Sequence, residues 1–340
     1  MRKLATLILS LLISGCLGQS AQIEDDFATY LSRIANVQGI EPLATPTTRY
    51  TRLPAVRDIK FALSTTSLGL LDSYQLRHCQ LFQLIAEKNS ILGKVQDEFR
   101  DYDYQRQLII GLGRCIENPA ISATLKSQLA EIQAIKFKQL PHRLSNVMFT
   151  SQAMRTQLEA HDWLTEADFS HSSQVIHAFA TLKQSHLTTL KSATLSAAPI
   201  HITPVQQTLE AMPMTGKLDY SLSNASAWLN VLNDQLEQYD ARIMCGANRN
   251  NTQLNYLTNV FSKFYLAKLQ PYLARLNGLY FQYQPVLTLL NQTHPSYRYP
   301  LEQHYQQFKV QTQRHVKYWQ QLFKRCRVNL GGKLNLSADG

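Results

Sequence analysis

Between Leu222 and Ile243 the apolar residues Leu222, Ala225, Leu229, Leu232, Leu236, Tyr239 and Ile243 recur at alternating intervals of three and four. That spacing puts all seven on one face of an α-helix and excludes a strand, whose faces repeat every two residues. The same periodicity governs most of the chain. Ile23, Phe27, Tyr30, Leu31 and Ile34 mark a first helix, and Leu71, Tyr74, His78, Leu81 and Ile85 mark another. The second starts near the caps Thr66 and Ser67 and ends at Asn89 to Gly93. Further helices are predicted over about 97 to 117, 120 to 140 and 150 to 159, and after Ser170 with Val175, Phe179, Leu182, His186 and Leu190 inward. Leu254, Leu257, Phe261, Phe264 and Leu269 continue the pattern, Pro271 and Pro285 kink or divide the helical stretch beyond them, and a last helix covers about 300 to 326. Only Ile59, Phe61 and Leu63 alternate with more polar neighbours, which allows at most one short strand. The predicted class is all-α, a bundle of roughly ten helices.

After Gly39 the periodicity stops, and Pro42, Pro46 and Pro54 make residues 40 to 58 an extended N-terminal wrap over the body. No low-complexity linker and no internal repeat divides the chain. Residues 23–328 therefore read as a single all-helical domain, with a division into two packed sub-bundles at Ser192 to Thr203, where Ala197-Ala198-Pro199 and Pro204 interrupt two helices. The tail 329–340, with two glycines and small polar residues, is expected to be disordered.

The N-terminus carries an address. Arg2 and Lys3 precede an apolar run from Leu4 to Ile13, the length of a signal-peptide core and too short for the roughly 20 residues that span a bilayer. It ends in Leu12-Ile13-Ser14-Gly15-Cys16, which resembles the lipobox of bacterial lipoproteins. That resemblance implies cleavage after residue 15 and diacylation of Cys16. With Leu17 rather than Asp following, it implies sorting to the outer membrane, facing the periplasm. Two or three acyl chains anchor stably, whereas one holds marginally. Residues 16–22 form a short lipidated tether whose polar part is Gln19 to Gln22.

Loss of residues 1–15 takes two of the 34 basic residues, leaving 32 against 24 acidic ones and a net charge near +8. An exported basic protein suits anionic neighbours such as phospholipid headgroups, cell-wall polymer or lipopolysaccharide, or an envelope protein, and nucleic acid is not an expected partner there. Four cysteines remain after lipidation: Cys79, Cys115, Cys245 and Cys326. An even number in an oxidising compartment predicts two disulfides. Of three connectivities, Cys79 to Cys115 with Cys245 to Cys326 keeps each bridge within one half of the chain.

Catalytic signatures are absent: there is no GxSxG, HExxH, Walker loop or GxGxxG. Gly111-Leu112-Gly113 lies in a helical pattern with no preceding strand and reads as structural. His161, Asp162, Glu166, Asp168, His171 and His177 are metal-ligand types, but their spacing sets no two of the histidines one helical turn apart, and they read as a polar loop and a helix start. His78, on the apolar stripe, reads as a buried, hydrogen-bonded histidine. Nine of the sixteen tyrosines lie beyond Asn250, several at stripe positions, and read as packing between helices. The last helix carries His315, Lys317, Lys324, Arg325 and Arg327, a basic cluster suited to anionic lipid or polymer, or to its own C-terminal dipole. No cofactor, metal or catalytic residue is read from the sequence.

Gly69-Leu70-Leu71-Asp72, Arg77-His78-Cys79-Gln80-Leu81 and Leu84-Ile85-Ala86-Glu87-Lys88-Asn89-Ser90-Ile91-Leu92-Gly93-Lys94, together with the Cys16 motif, resemble an uncharacterised family of Gram-negative lipoproteins known only as a domain of unknown function. The likeness extends loosely through Leu140-Pro141. It implies the location and an all-helical body, and it transfers no catalytic residue. Within the motif, Glu87, Lys88, Asn89 and Ser90 gather polar groups at a helix end and are the candidate binding residues, although Asn89, Ser90 and Gly93 also suit helix termination. The expected role is a non-enzymatic envelope protein that binds a partner or ligand. The alternatives are a cell-wall hydrolase or lyase, and a carrier of lipid or a small apolar ligand, which requires a cavity between helices.

Overall fold

Gln19 to Gln38, Gln152 to Glu159, Gln270 to Gln282 and Leu301 to Cys326 supply the helical walls against which the Leu222 stripe is buried. The computed structural model describes residues 19–64, 66, 74–191, 200–246 and 249–328. The expected signal segment, Cys16, the interrupting segment 192–199 and the tail from Asn329 lie outside the described residues. The helices are α1 (Gln19–Gln38), α2 (Leu81–Asn89), α3 (Glu98–Glu117), α4 (Ala123–Thr150), α5 (Gln152–Glu159), α6 (Glu166–Lys191), α7 (Thr203–Ala211), α8 (Met214–Gln238), α9 (Thr252–Val260), α10 (Gln270–Gln282), α11 (Gln284–Thr293) and α12 (Leu301–Cys326). A π-helical segment, Phe261–Leu269, joins α9 to α10. No strand occurs among the described residues.

Helix α8 lies along α12 at the centre, with Leu222, Ala225, Leu229, Leu232 and Leu236 fully buried. Each buried leucine contributes about 1.5–3 kcal/mol relative to exposure. The stripe does not leave a solvent face opposite, because Asp219, Asn224 and Gln235 on that side are buried too. They hold the wrap. The Leu43 amide donates to Gln235 Oε1 (2.9 Å), the Arg49 amide to Asn224 Oδ1 (2.9 Å), and Asn224 Nδ2 returns a bond to the Arg49 carbonyl (2.7 Å). Asn146 of α4 repeats the device on Phe61, accepting from its amide (2.9 Å) and donating to its carbonyl (3.0 Å). Side-chain amides thus replace a neighbouring strand for Phe61 and Leu63, which remain extended without forming a sheet, whereas Ile59, expected to alternate with them, ends a short helical turn, Val56–Ile59.

Several sequence expectations are corrected. The connector Gln19 to Gln22 is helical, so α1 begins before Ile23. The stripe from Leu71 to Ile85 is not one helix. A 3₁₀ turn over Leu76–Cys79 ends at Gln80, which is left-handed (φ 64°, ψ 3°), and α2 restarts at Leu81. That residue resets the register and leaves His78 exposed, with its carbonyl accepting from Asn118 Nδ2 (3.0 Å), instead of buried. Helix α4 does not stop at Leu140 but passes through Pro141 to Thr150. Burial of Leu140, Leu144, Val147 and Met148 outweighs the roughly 3 kcal/mol an interior proline costs. Ahead of Pro271 the helix widens to the π form, which accommodates a ring that has no N–H to donate.

His315 is also not part of a basic surface. It is fully buried, and burial pushes its pKa down to about 3. Trp319 Nε1 donates to its Nε2 (3.1 Å), so its Nδ1 carries the proton and donates to Asn233 Oδ1 (2.8 Å). Of the nine late tyrosines, seven are buried between helices, Tyr280 stacking on Tyr305 at 3.5 Å between ring centres. The sulfurs join Cys79 to Cys115 and Cys245 to Cys326.

Two hydrophobic cores result. The main one draws on residues from Phe27 to Leu182 and from Ile202 to Phe323, so helices before and after the 192–203 loop share it. The smaller one joins Leu76 and Leu81 to Leu108, Leu112 and Cys115 of α3 and to Leu125 and Leu129 of α4. The antiparallel α3–α4 hairpin serves both: Phe99, Tyr102, Leu140 and Leu144 of its open end lie in the main core, and its closed end in the smaller one. Gly111 lets α2 lie against α3, since a Cβ there would meet Leu81 Cδ1 at 2.7 Å.

Candidate functional site

Where the two cores part, the described residues leave the hairpin uncovered, and it forms one wall of a cleft of about 1230 Å³. Small-ligand sites typically span about 300–1,000 Å³, so the space is ample for one. The opposite walls are the end of the wrap, with Lys60, Phe61 and Leu63, and helix α2, with Phe82, Ile85, Lys88 and Asn89. Along α3 the lining residues are Glu98, Asp101, Gln105, Leu108 and Leu112, spaced three and four apart on one helix face. On α4 they are Asn146, Arg143, Lys136 and Ile132, running the other way. The Arg143–Asp101 ion pair and the bond from Gln133 Nε2 to the Ile109 carbonyl (3.0 Å) set the register between the helices.

The floor is polar at one end and apolar at the other. At the polar end, Glu98 pairs with Lys60 (3.2 Å), and the Asp101 carboxylate is shared by Lys88 (3.1 Å) and Arg143. Lys88 also donates to Gln96 Oε1 (2.7 Å) and lies 5.1 Å from the Tyr104 ring centre. Lys136, 5% exposed, has no hydrogen-bond or ion-pair partner among the described residues. Burial, and then the neighbouring Arg143 charge, hold its pKa below the ordinary lysine value. Gln105 Oε1 and Arg143 Nε are buried without partners as well. Burial and the Asp101 charge raise the Tyr104 phenol to about 12, so it stays protonated as a hydrogen-bond donor.

Of the residues singled out from sequence, Lys88 and Asn89 line this cleft, and Glu87 with Lys88 lines a smaller cavity of about 430 Å³ on the other side of Tyr104. Ser90 lines neither. Its Oγ donates to the Glu87 carbonyl (2.7 Å) and accepts from the Gly93 amide (3.1 Å), closing the helix end. Asp101, Gln105, Lys136 and Arg143 escaped the sequence reading. A signal for them existed in the run Glu98, Asp101, Gln105, Leu108, Leu112, one helix face that changes from polar to apolar partway along. The small core behind the cleft is stapled by Cys79–Cys115, a bridge across 36 residues.

The acidic and histidine residues around 161–177 are engaged elsewhere. Asp168 accepts from the Thr165 amide (2.8 Å) and pairs with Lys217 (3.0 Å), Glu166 pairs with Arg275, and His171 and His177 are exposed. Among the described residues no group of three or more His, Cys, Asp or Glu is disposed to hold a metal ion. Among the described residues two histidines approach a carboxylate, His201 Nδ1 at 3.7 Å from Asp103 and His304 Nδ1 at 2.8 Å from the buried Asp219, and at the closer pair the Thr51 hydroxyl donates to the carboxylate and is not set on the ring as a nucleophile would be. No helix among the described residues is long and apolar enough to cross a membrane.

Fold and cleft thus define an all-α protein with a main core, a stapled satellite core and an amphipathic cleft between them. Residues 27–330 match the family described as Protein of unknown function (DUF3080), and the chain belongs to that family. No curated protein and no solved structure matches it.

Proposed function

We propose that this chain is an exported lipoprotein, held by an acylated Cys16 in the outer membrane facing the periplasm, whose body binds a small-molecule ligand in the cleft between its two cores. The observation that carries the binding reading is the polar floor of that cleft. Gln105 Oε1 and Arg143 Nε are buried there without partners beside an open volume, next to the unpaired Lys136, and a buried polar group left unsatisfied costs about 1–3 kcal/mol. A ligand that pairs them recovers that cost. The address rests on Arg2, Lys3, the apolar run and Ser14-Gly15-Cys16, and two cystine bridges suit an oxidising compartment. Of the roles weighed from sequence, ligand carriage is the one that needs a cavity. A partner protein, cell-wall polymer or lipopolysaccharide would then be the donor or receiver of the molecule that the cleft holds.

Two experiments test this. Cys16→Ala should move the protein from the membrane to the soluble periplasmic fraction; retention in the membrane would refute the anchor. Native mass spectrometry of protein extracted without denaturant should show an adduct that is lost in Ala86→Trp, which places an indole in the cleft from an exposed position on α2. A bare polypeptide mass for the unaltered protein in every extraction would refute ligand binding.

A further inference from the structure

We infer that the ligand is an anionic amphiphile, its head seated on Lys136 and Arg143 and its alkyl chain lying toward Leu112, an inference that rests on the cleft being a binding site. Three observations carry it. The first is charge: Arg57, Lys60, Lys88, Lys136 and Arg143 line the cleft against the carboxylates Asp97, Glu98 and Asp101, so two positive charges are left over in a half-dry site. Like charges at that separation from water repel strongly, and an anion placed between them relieves the repulsion.

The second is the hydrogen-bond inventory. Arg143 Nε has no partner, and neither has the Lys136 ammonium among the described residues, so two donors await acceptor oxygens. A carboxylate or a phosphate supplies such oxygens, and an alcohol or a quaternary ammonium supplies no anionic one. The third is the gradient. From the level of Gln105 to that of Leu112 the wall becomes Leu108, Leu112, Ile132, Phe82 and Ile85. Seven residues of helix rise about 10 Å, the reach of an extended alkyl chain of about eight carbons at about 1.3 Å per carbon.

The test is calorimetric titration of the whole mature chain with hexanoate, octanoate, decanoate and dodecanoate, then with octyl phosphate, octanol and octyltrimethylammonium. Affinity should rise about fourfold per methylene up to eight to ten carbons and then level off, and octanoate should bind at least tenfold tighter than octanol. Octyl phosphate against octanoate decides whether the natural head is a phospholipid-type phosphate or a fatty-acid carboxylate, and binding of either supports the inference. Lys136→Met should weaken octanoate at least tenfold and leave octanol unchanged. Because the chain-length and head-group series uses the unaltered protein, the inference is tested even if that variant misfolds. Octanol or octyltrimethylammonium binding as tightly as octanoate, with Ala86→Trp abolishing it, would overturn the anionic head and keep the cleft as a site. Failure of every probe to bind, with no adduct in the native protein, would overturn both.

Discussion

Replacing Lys136 by Met should make the ligand-free protein more stable. Lys136 as a residue is 5% exposed, and its ammonium carries no partner among the described residues and lies beside Arg143, whereas Met keeps the unbranched shape without the charge. Leaving such a group unsatisfied costs about 1–3 kcal/mol, and replacing a buried charge by an apolar side chain of similar volume recovers a gain of that order. At about 2.1 cal/mol/K per residue, roughly 300 ordered residues have an unfolding entropy near 0.6 kcal/mol/K, so Tm should rise by about 2–5 °C. The pH dependence provides a second check. Folding lowers this lysine's pKa below its ordinary 10.5, so the unfolded chain binds more protons between the two values. The penalty is therefore full below the folded pKa and fades as pH rises toward 10.5, and the advantage of the variant should shrink with it. Thermal and urea unfolding followed by circular dichroism, on protein stripped of ligand, measure both. A variant less stable than the parent at neutral pH would show that the ammonium is satisfied in the cleft and would remove the argument for a missing anion.

Other perturbations draw on the same contacts. Asp103 of α3 is buried and caps α7 by accepting from the Ile202 amide (2.9 Å), the Thr203 amide (2.9 Å) and the Thr203 hydroxyl (2.7 Å); Asp103→Ala should cost about 3 kcal/mol, read from the urea midpoint. An unchanged midpoint would mean the cap is idle. Burial lowers the pKa of His315 to about 3 and, with the Arg106 charge adding to burial, that of His186 to about 4. Both are neutral in the folded state while the unfolded chain titrates near 6.5, so stability is full above pH 6.5 and falls as pH drops toward 3 to 4; a flat unfolding free energy across that window would refute the assignment. Asn146→Leu removes both bonds to Phe61 and should speed limited proteolysis within residues 57 to 64 while leaving cleavage near Arg49, held by Asn224, unchanged. Cys79→Ser with Cys115→Ser opens a 36-residue loop and should cost about 3–4 kcal/mol, with hydrogen exchange rising in α2 before α8.

Local interactions made some of the molecule legible without a structure. The 3.6-residue period depends only on which face of a helix each side chain joins, so the helices at 98–117 and 301–326 and the body of α8 from Leu222 could be marked from residue spacing, although the stripe runs on to Tyr239 and Ile243 while the helix itself ends at Gln238 and gives way to a 3₁₀ turn. Prolines at 42, 46 and 54 lack the N–H a helix needs, and the wrap is their consequence. Chain separation alone favoured the two cystine pairs that the sulfurs form. The failures share a cause. A left-handed Gln80 and a helix that survives Pro141 are local penalties accepted because distant burial outweighs them, and no window of sequence contains that balance.

Sequence by itself determined the helical class, the extended wrap and the polar end of α2, since each is written in neighbouring residues. Only the tertiary structure decided that the polar face of α8 would grip the wrap, that one hairpin would serve two cores, and that Lys136 and Gln105 would meet on the floor between them. Those pairings join residues tens to nearly two hundred positions apart. Which distant faces meet is set by the packing of the whole, and so is the volume left open where two cores do not.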